Sequence, residues 1–258
     1  MQKVLGREQM REKTDKSKLK DGRGILDGNS YEAWKTARES KSVGTACAVY
    51  DPIQKRTVNL LSVGEKKTFW VLRFLTPNRI LEQFPMDAAI VSSICEELGV
   101  RRYSSILSTD FLVENADGRA VAISVKPNAS AFDAATRTGK KNITRNDVEV
   151  RYWAQCGVPH HVVFADEIDI DFAMNIKDVM TYWDDTWVND PTSMLMHMIA
   201  RHVIQIPLDK GRISFRKIAE TIHVEDYYEA YKGQEGESIN CRWRIDLSGR
   251  CSIQNPQP

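Results

Sequence analysis

The sequence predicts two domains: an α/β domain holding a mixed sheet with flanking helices, then a small helical, winged-helix-like domain. Three observations lead there. Strand runs and helical runs are interleaved over the first 165 or so residues, as a sheet with both hairpin and crossover connections requires. Beyond about residue 168 the pattern turns to long helical periods. A short alternating pair of runs then closes the chain. The expected boundaries are a basic N-terminal arm over 1–24, an α/β domain over 25–167 and a C-terminal domain over 168–258.

Residues 1–24 carry eight Lys/Arg against four Asp/Glu, the composition of a solvated arm or of one that touches phosphates or a partner. GTACAVYD (44–51) and TVNLLS (57–62) read as short strands around a turn at Asp51-Pro52. Ser62, followed three residues later by Glu65, has the S-x-x-E pattern of a capping box, opening a helix that ends before Pro77. RILEQFPM (79–86) is strand-like, and 87–99 is a second helix stopped by Gly99. A hairpin runs from about Tyr103 to Lys126 and a polar loop over 127–143. A helix follows over 144–156, then a strand, HHVVFADE (160–167). In the last third, helical periods cover 171–187, 193–204 and 213–224, followed by EDYYEAYKGQEG. SINCRWRIDLSGRC alternates as a strand pair with its turn near Ser248-Gly249.

Bulk properties narrow the class. The chain has 258 residues, 42% apolar, enough for a sizeable core. A formal net charge of +1 leaves nucleic-acid binding to local patches. Five cysteines, an odd number with no C-x-x-C pair, argue against a disulfide framework or zinc knuckle and for a reducing compartment. No apolar run approaches the roughly 18–20 residues that span a bilayer, and the N-terminus lacks an apolar signal core. The expectation is a cytoplasmic protein with no membrane partner.

The hairpin STDFLVENADGRAVAISVKP (108–127) carries the chemistry. A three-residue loop Ala116-Asp117-Gly118, with Gly118 left-handed, sets Leu112 opposite Ala122 and Asp110 opposite Ser124. It also gathers Phe111, Val113, Val121, Ile123 and Val125 on one apolar face, which a two-residue loop would split. Asp110, Ser124 and Lys126 then share the other side as a polar patch. A carboxylate to hold a metal and a lysine to assist water suit phosphodiester hydrolysis. A half-buried hairpin with a polar outer face is the simpler alternative.

STDFLV, AISVKP and EVRYW, with LEQFPM (81–86), LLS-x-x-E (60–65), DGRG (21–24) and Tyr31-x-x-Trp34, resemble in order the TnsA endonucleases of bacterial cut-and-paste transposons. These have the PD-(D/E)-x-K, restriction-endonuclease-like fold. The resemblance spans most of residues 20–165. It implies Mg²⁺-dependent cleavage, with Mn²⁺ as substitute, of the 5′ ends of transposon DNA beside a separate DDE transposase. It further implies that the C-terminal region, including the tail beyond Arg250, engages an AAA+ regulator ATPase. Carried over, Glu65 and Asp110 are metal-binding acids, Lys126 is the catalytic lysine, and the Val125 carbonyl completes the metal site. Ser124 stands where related TnsA proteins have Gln and restriction-type relatives have Asp or Glu. Serine is the poorer metal ligand, which keeps open a catalytically silent DNA-binding or assembly subunit. Glu149 is a candidate to supply the missing charge, or a surface charge paired with Arg145 or Arg151.

Arg101, Arg102, Lys140, Lys141 and Arg145 are candidate phosphate contacts, and Arg242-Trp243-Arg244 a candidate wing. Of His160-His161, one ring is expected packed and one solvated. His197 and His202, five apart, have the wrong spacing for a shared metal. Cys241 and Cys251 flank the last hairpin, without a zinc expectation. Trp70, Trp153, Trp183 and Trp187 are expected in a core or a domain interface.

Overall fold

The computed structural model describes residues 13–25, 30–40, 45–76, 78–115, 117–232, 243–248 and, as backbone, 251–253. It divides into two compact units. One comprises residues 1–69 and 77–167, the other 70–76 and 168–258.

In the first unit, helix α1 (Asp15–Lys20) is capped by Thr14 and precedes a two-stranded antiparallel sheet, β1 (Cys47–Asp51) and β2 (Arg56–Leu60). Ser62 then opens α2 (Val63–Leu75). The central sheet has the order β3 (Arg79–Pro85), β4 (Ser108–Glu114), β5 (Ala120–Lys126), β6 (His160–Phe164). The first three strands are antiparallel, and β6 runs parallel to β5. Helix α3 (Ala88–Glu97), capped by Asp87, joins β3 to β4, and α4 (Arg137–Gln155) makes the crossover to β6. This is the expected mixed α/β sheet with flanking helices, the restriction-endonuclease-like arrangement.

The hairpin has the expected register. Leu112 pairs with Ala122, Phe111 with Ile123, and Gly118 is left-handed at φ 81°. Ala116, the first loop residue, lies outside the described residues.

Three expectations change. The side shared by Asp110 and Ser124 is no open polar face. Leu112 and Ala122 on it pack with Val91 and Ile94 of α3 and Val148 and Tyr152 of α4, while Phe111 on the opposite face stacks on Phe69 of α2. Both faces of the hairpin are thus covered, as in a layered α/β sheet. Second, α4 starts at Arg137, inside the predicted loop. Thr136 caps it by accepting from Gly139 N–H (2.9 Å). Gly139 lies so close to Asp133 that a Cβ there would sit 1.9 Å from the carbonyl oxygen. Third, residues 13–24 do not form a solvated arm. Lys18 is buried over the Trp34 ring (5.3 Å), and Arg23 donates twice to Glu39 (2.6 and 3.1 Å). Residues 1–12 are outside the described set.

The second unit holds α5 (Ile170–Met180), α6 (Pro191–Ala200), α7 (Phe215–Ile222) and α8 (Val224–Lys232). A three-stranded sheet joins β7 (Ile204–Gln205) in parallel to β8 (Trp243–Ile245), which pairs antiparallel with β9 (Cys251–Ile253). Strand β7 was hidden at the end of a helical period. Buried Asn175 ties the loop after β7: its amide donates to the Leu208 and Gly211 carbonyls and accepts from Arg212 and Ile213. Trp70 and Trp153 are buried and Trp183 stacks with Arg201 (4.5 Å), but Trp187 is 66% exposed, contrary to its expected place in a core or interface. Arg242, Cys241, Gly249 and the tail beyond Ile253 lie outside the described residues. Among the described residues, no helix is long and apolar enough to cross a membrane.

Candidate active site

The site forms where the N-terminus of α2 meets β3, β4 and β5. Glu65 is the third residue of α2. Its N–H donates to the Ser62 hydroxyl (3.0 Å), and its carboxylate accepts from Ser62 Oγ (3.1 Å) and Leu61 N–H (2.9 Å). The capping pattern therefore also aims a carboxylate at the sheet.

Asp110 stands in the middle of β4. Its Oδ2 accepts from the backbone N–H of Val125 (2.7 Å) and its Oδ1 from Gln83 Nε2 (3.2 Å). The same Gln83 nitrogen donates to Glu65 Oε2 (3.3 Å). One amide thus joins the two acids. Burial pushes the Glu65 carboxyl up to about 8, and the neighbouring Asp110 charge adds to the rise. Among the described residues neither acid is in an ion pair. A cavity of about 690 Å³ is lined by Glu65, Gln83, Asp110, Val125, Lys126 and Arg145.

Ser124 and Glu149 belong to a second cluster, buried beside the first. Ser124 Oγ donates to Glu149 Oε2 and lies 3.0 Å from His160 Nε2. Glu149 Oε1 accepts from Arg145 Nε (2.6 Å), whose Nη2 donates to the Ser108 carbonyl (2.7 Å). Burial alone would raise the Glu149 carboxyl; the His160 hydrogen bond, the Arg145 charge and the Ser124 hydroxyl override it and hold it near 2. Glu149 is no surface charge: it is 2% exposed, with both oxygens already engaged.

Of the five basic candidates, Arg145 lines the acid cavity. Lys140 and Lys141 are exposed on the first turn and a half of α4. Arg101 is exposed as well, and Arg102 pairs with Glu96. His160 is the packed ring and His161 the exposed one. His197 and His202 bond separate carbonyls, of Tyr182 (2.7 Å) and Phe74 (2.9 Å). Among the described residues, no group of three or more His, Cys, Asp or Glu is disposed to hold a metal ion.

Sequence reasoning missed Gln83 and His160, a third partner of Glu149 beside Arg145 and Ser124. Both lay inside stretches already singled out, LEQFPM and HHVVF. What selects them is cross-strand register, which neither stretch reveals alone.

The sequence model of the family described as TnsA-like endonuclease, N terminal, matches residues 78–164, from β3 to the end of β6. This part of the chain is similar to the TnsA-like endonucleases. The transposon Tn7 transposition protein TnsA of Escherichia coli is 32% identical over 168 residues, covering 62% of this chain and 59% of that protein. The match thus spans under two thirds of the relative's length. Asp110, Ser124, Lys126 and Glu149 fall inside the TnsA-like segment; Glu65 precedes it.

Proposed function

We propose that the protein is a metal-dependent DNA endonuclease that cuts the 5′ ends of a transposon, acting with a separate DDE transposase. The observation that carries this reading is the pair of acids, Glu65 and Asp110, bridged by one Gln83 amide in a cavity that Lys126 and Arg145 also line. Burying two like charges is costly unless a cation joins them. The donor set suits Mg²⁺, a hard ion that takes oxygen ligands and commonly only one or two carboxylates, with Mn²⁺ as substitute. Glu65, Asp110 and the Val125 carbonyl would hold it. Once bound, it would polarise the scissile phosphate and lower the pKa of a bound water.

The rest of the chemistry falls to the chain's own groups. Lys126 orients the attacking water and offsets the charge that grows on the phosphate oxygens. Arg145, fixed by Glu149 and the Ser108 carbonyl, offers a pre-set cation to the same phosphate. Exposed Lys140 and Lys141, with Arg101 and Arg102, contact the DNA backbone without reading its sequence. Glu149 serves by holding Arg145 rather than by binding metal. The C-terminal unit acts as a winged-helix-like module that engages an AAA+ regulator.

One observation favours a second reading, a silent assembly subunit. The Ser124 hydroxyl is turned into the Glu149 cluster and offers nothing to a metal. One assay separates the two. With its cognate transposase and Mg²⁺, the wild-type protein should nick 5′ ends, and Asp110→Ala and Lys126→Ala should abolish nicking while complexes still form. Equal behaviour of all three proteins removes the enzymatic reading.

A further inference from the structure

Gln83 occupies an unusual position in β3. Glu82 pairs with Phe111 and Phe84 with Thr109, so Gln83 falls opposite Asp110, the one step between them where the regular pairing is interrupted. Its φ is +48°, a left-handed conformation that non-glycine residues adopt at a cost and that clusters at functional sites. The side chain is 2% exposed. Its nitrogen has two hydrogens, and the two carboxylates take them, at 3.2 and 3.3 Å. Its oxygen accepts from the Ser108 hydroxyl (2.9 Å), itself fully buried. A strained backbone thus delivers a neutral amide to the space between two acids that, among the described residues, form no ion pair.

Ser124, at the position that would otherwise add a third side-chain ligand, is committed elsewhere. Its hydroxyl serves Glu149 and His160.

We propose that Gln83 replaces position 124 as the third side-chain ligand of the cation site, presenting its carbonyl oxygen to the ion held by Glu65 and Asp110. An N–H group cannot face a cation, so binding must turn the amide. A half-turn about its last side-chain bond, a soft torsion, exchanges nitrogen for oxygen. The Ser108 hydroxyl permits this because it can donate to the oxygen or accept from the nitrogen. In the metal-free state the same amide keeps the two carboxylates together. The inference rests on the metal-dependent reading above.

The test is calorimetric titration of Mn²⁺ into the wild-type protein, Gln83→Met, Gln83→Glu and Asp110→Ala, with each metal-free melting temperature measured alongside. Methionine keeps the length and removes the oxygen. Its Mn²⁺ affinity should fall roughly 10–100-fold, the range seen when a group supporting a metal site is lost. Glutamate should bind Mn²⁺ at least about tenfold more tightly than wild type, as a carboxylate in place of an amide. Affinity that is unchanged or tighter in Gln83→Met overturns the inference but leaves the acid pair as the metal site. Absence of Mn²⁺ binding to wild type removes both. Should Gln83→Met not fold, Gln83→Glu decides: tighter binding supports the ligand role, and unchanged or weaker binding overturns it.

Discussion

Ser124 differs from its neighbours Asp110 and Lys126 in what it touches. Its hydroxyl completes a buried network whose far end is Arg145, so its removal acts at one remove from the proposed cation site. Ser124→Ala should reduce nicking less than Asp110→Ala does, and should cost about 1–3 kcal/mol of stability in urea titration through the lost hydrogen bond to the Glu149 carboxylate. A nicking loss equal to that of Asp110→Ala would mean that the hydroxyl takes part directly. Glu65 supplies a second test at this scale. Its folded value, about 8, lies above the ordinary 4.5. The proton is therefore held more tightly in the folded state, and that stabilisation is complete below about pH 4.5 and lost as pH rises through about 8. Metal-free protein should lose on the order of 3 kcal/mol between about pH 5 and about pH 9. Added Mg²⁺, or Glu65→Gln, should flatten that slope; an equal slope in all samples refutes the cause. Asp110, Lys126 and Glu65 were legible because residue type, spacing and resemblance all marked them. Gln83 was not, because a glutamine in a strand carries no mark until its cross-strand neighbour is known. Glu149 was visible only as a candidate, since a carboxylate on a helix looks the same in sequence whether buried or solvated.

Secondary-structure elements were legible where local signals end them. Asp87 caps α3 and Gly99 follows its end at φ 64°, and both signs stand in the sequence. The start of α4 was missed because its first turns, RTGKKNIT, are polar and carry a glycine that reads as a loop signal. That glycine is required by tight packing: Gly139→Ala would drive a Cβ into the Asp133 backbone and displace the first turn of α4. The expected result is a loss of at least about 1–2 kcal/mol, with nicking reduced through misplacement of Lys140, Lys141 and Arg145. In the second unit Asn175 has the corresponding role for the loop at 208–213. Asn175→Ala would leave two carbonyls and two donors unpaired and should cost about 2–4 kcal/mol by chemical denaturation.

Across the whole molecule, the chain divides into two compact units at residue 168, with one interleaved segment that a change in periodicity does not reveal. Residues 70–76, the second half of α2 and the residue after it, cluster with the C-terminal unit, where the Phe74 and His202 rings meet at a tilt (4.6 Å). A periodic run of one helix gives no sign that its two halves serve different cores. A chain ended at Glu167 should therefore melt lower and aggregate sooner than the full chain, because Phe74 loses its cover. The central claim, that one divalent cation site lies between α2, β3, β4 and β5, has a direct test in iron-directed cleavage. Fe²⁺ placed at the Mg²⁺ site, with ascorbate and peroxide, cuts backbone within its reach. Cuts clustered near residues 65, 83, 110 and 125, suppressed by excess Mg²⁺ and absent in Asp110→Ala, are the expected result. Cuts elsewhere, or an unchanged pattern in Asp110→Ala, would contradict it.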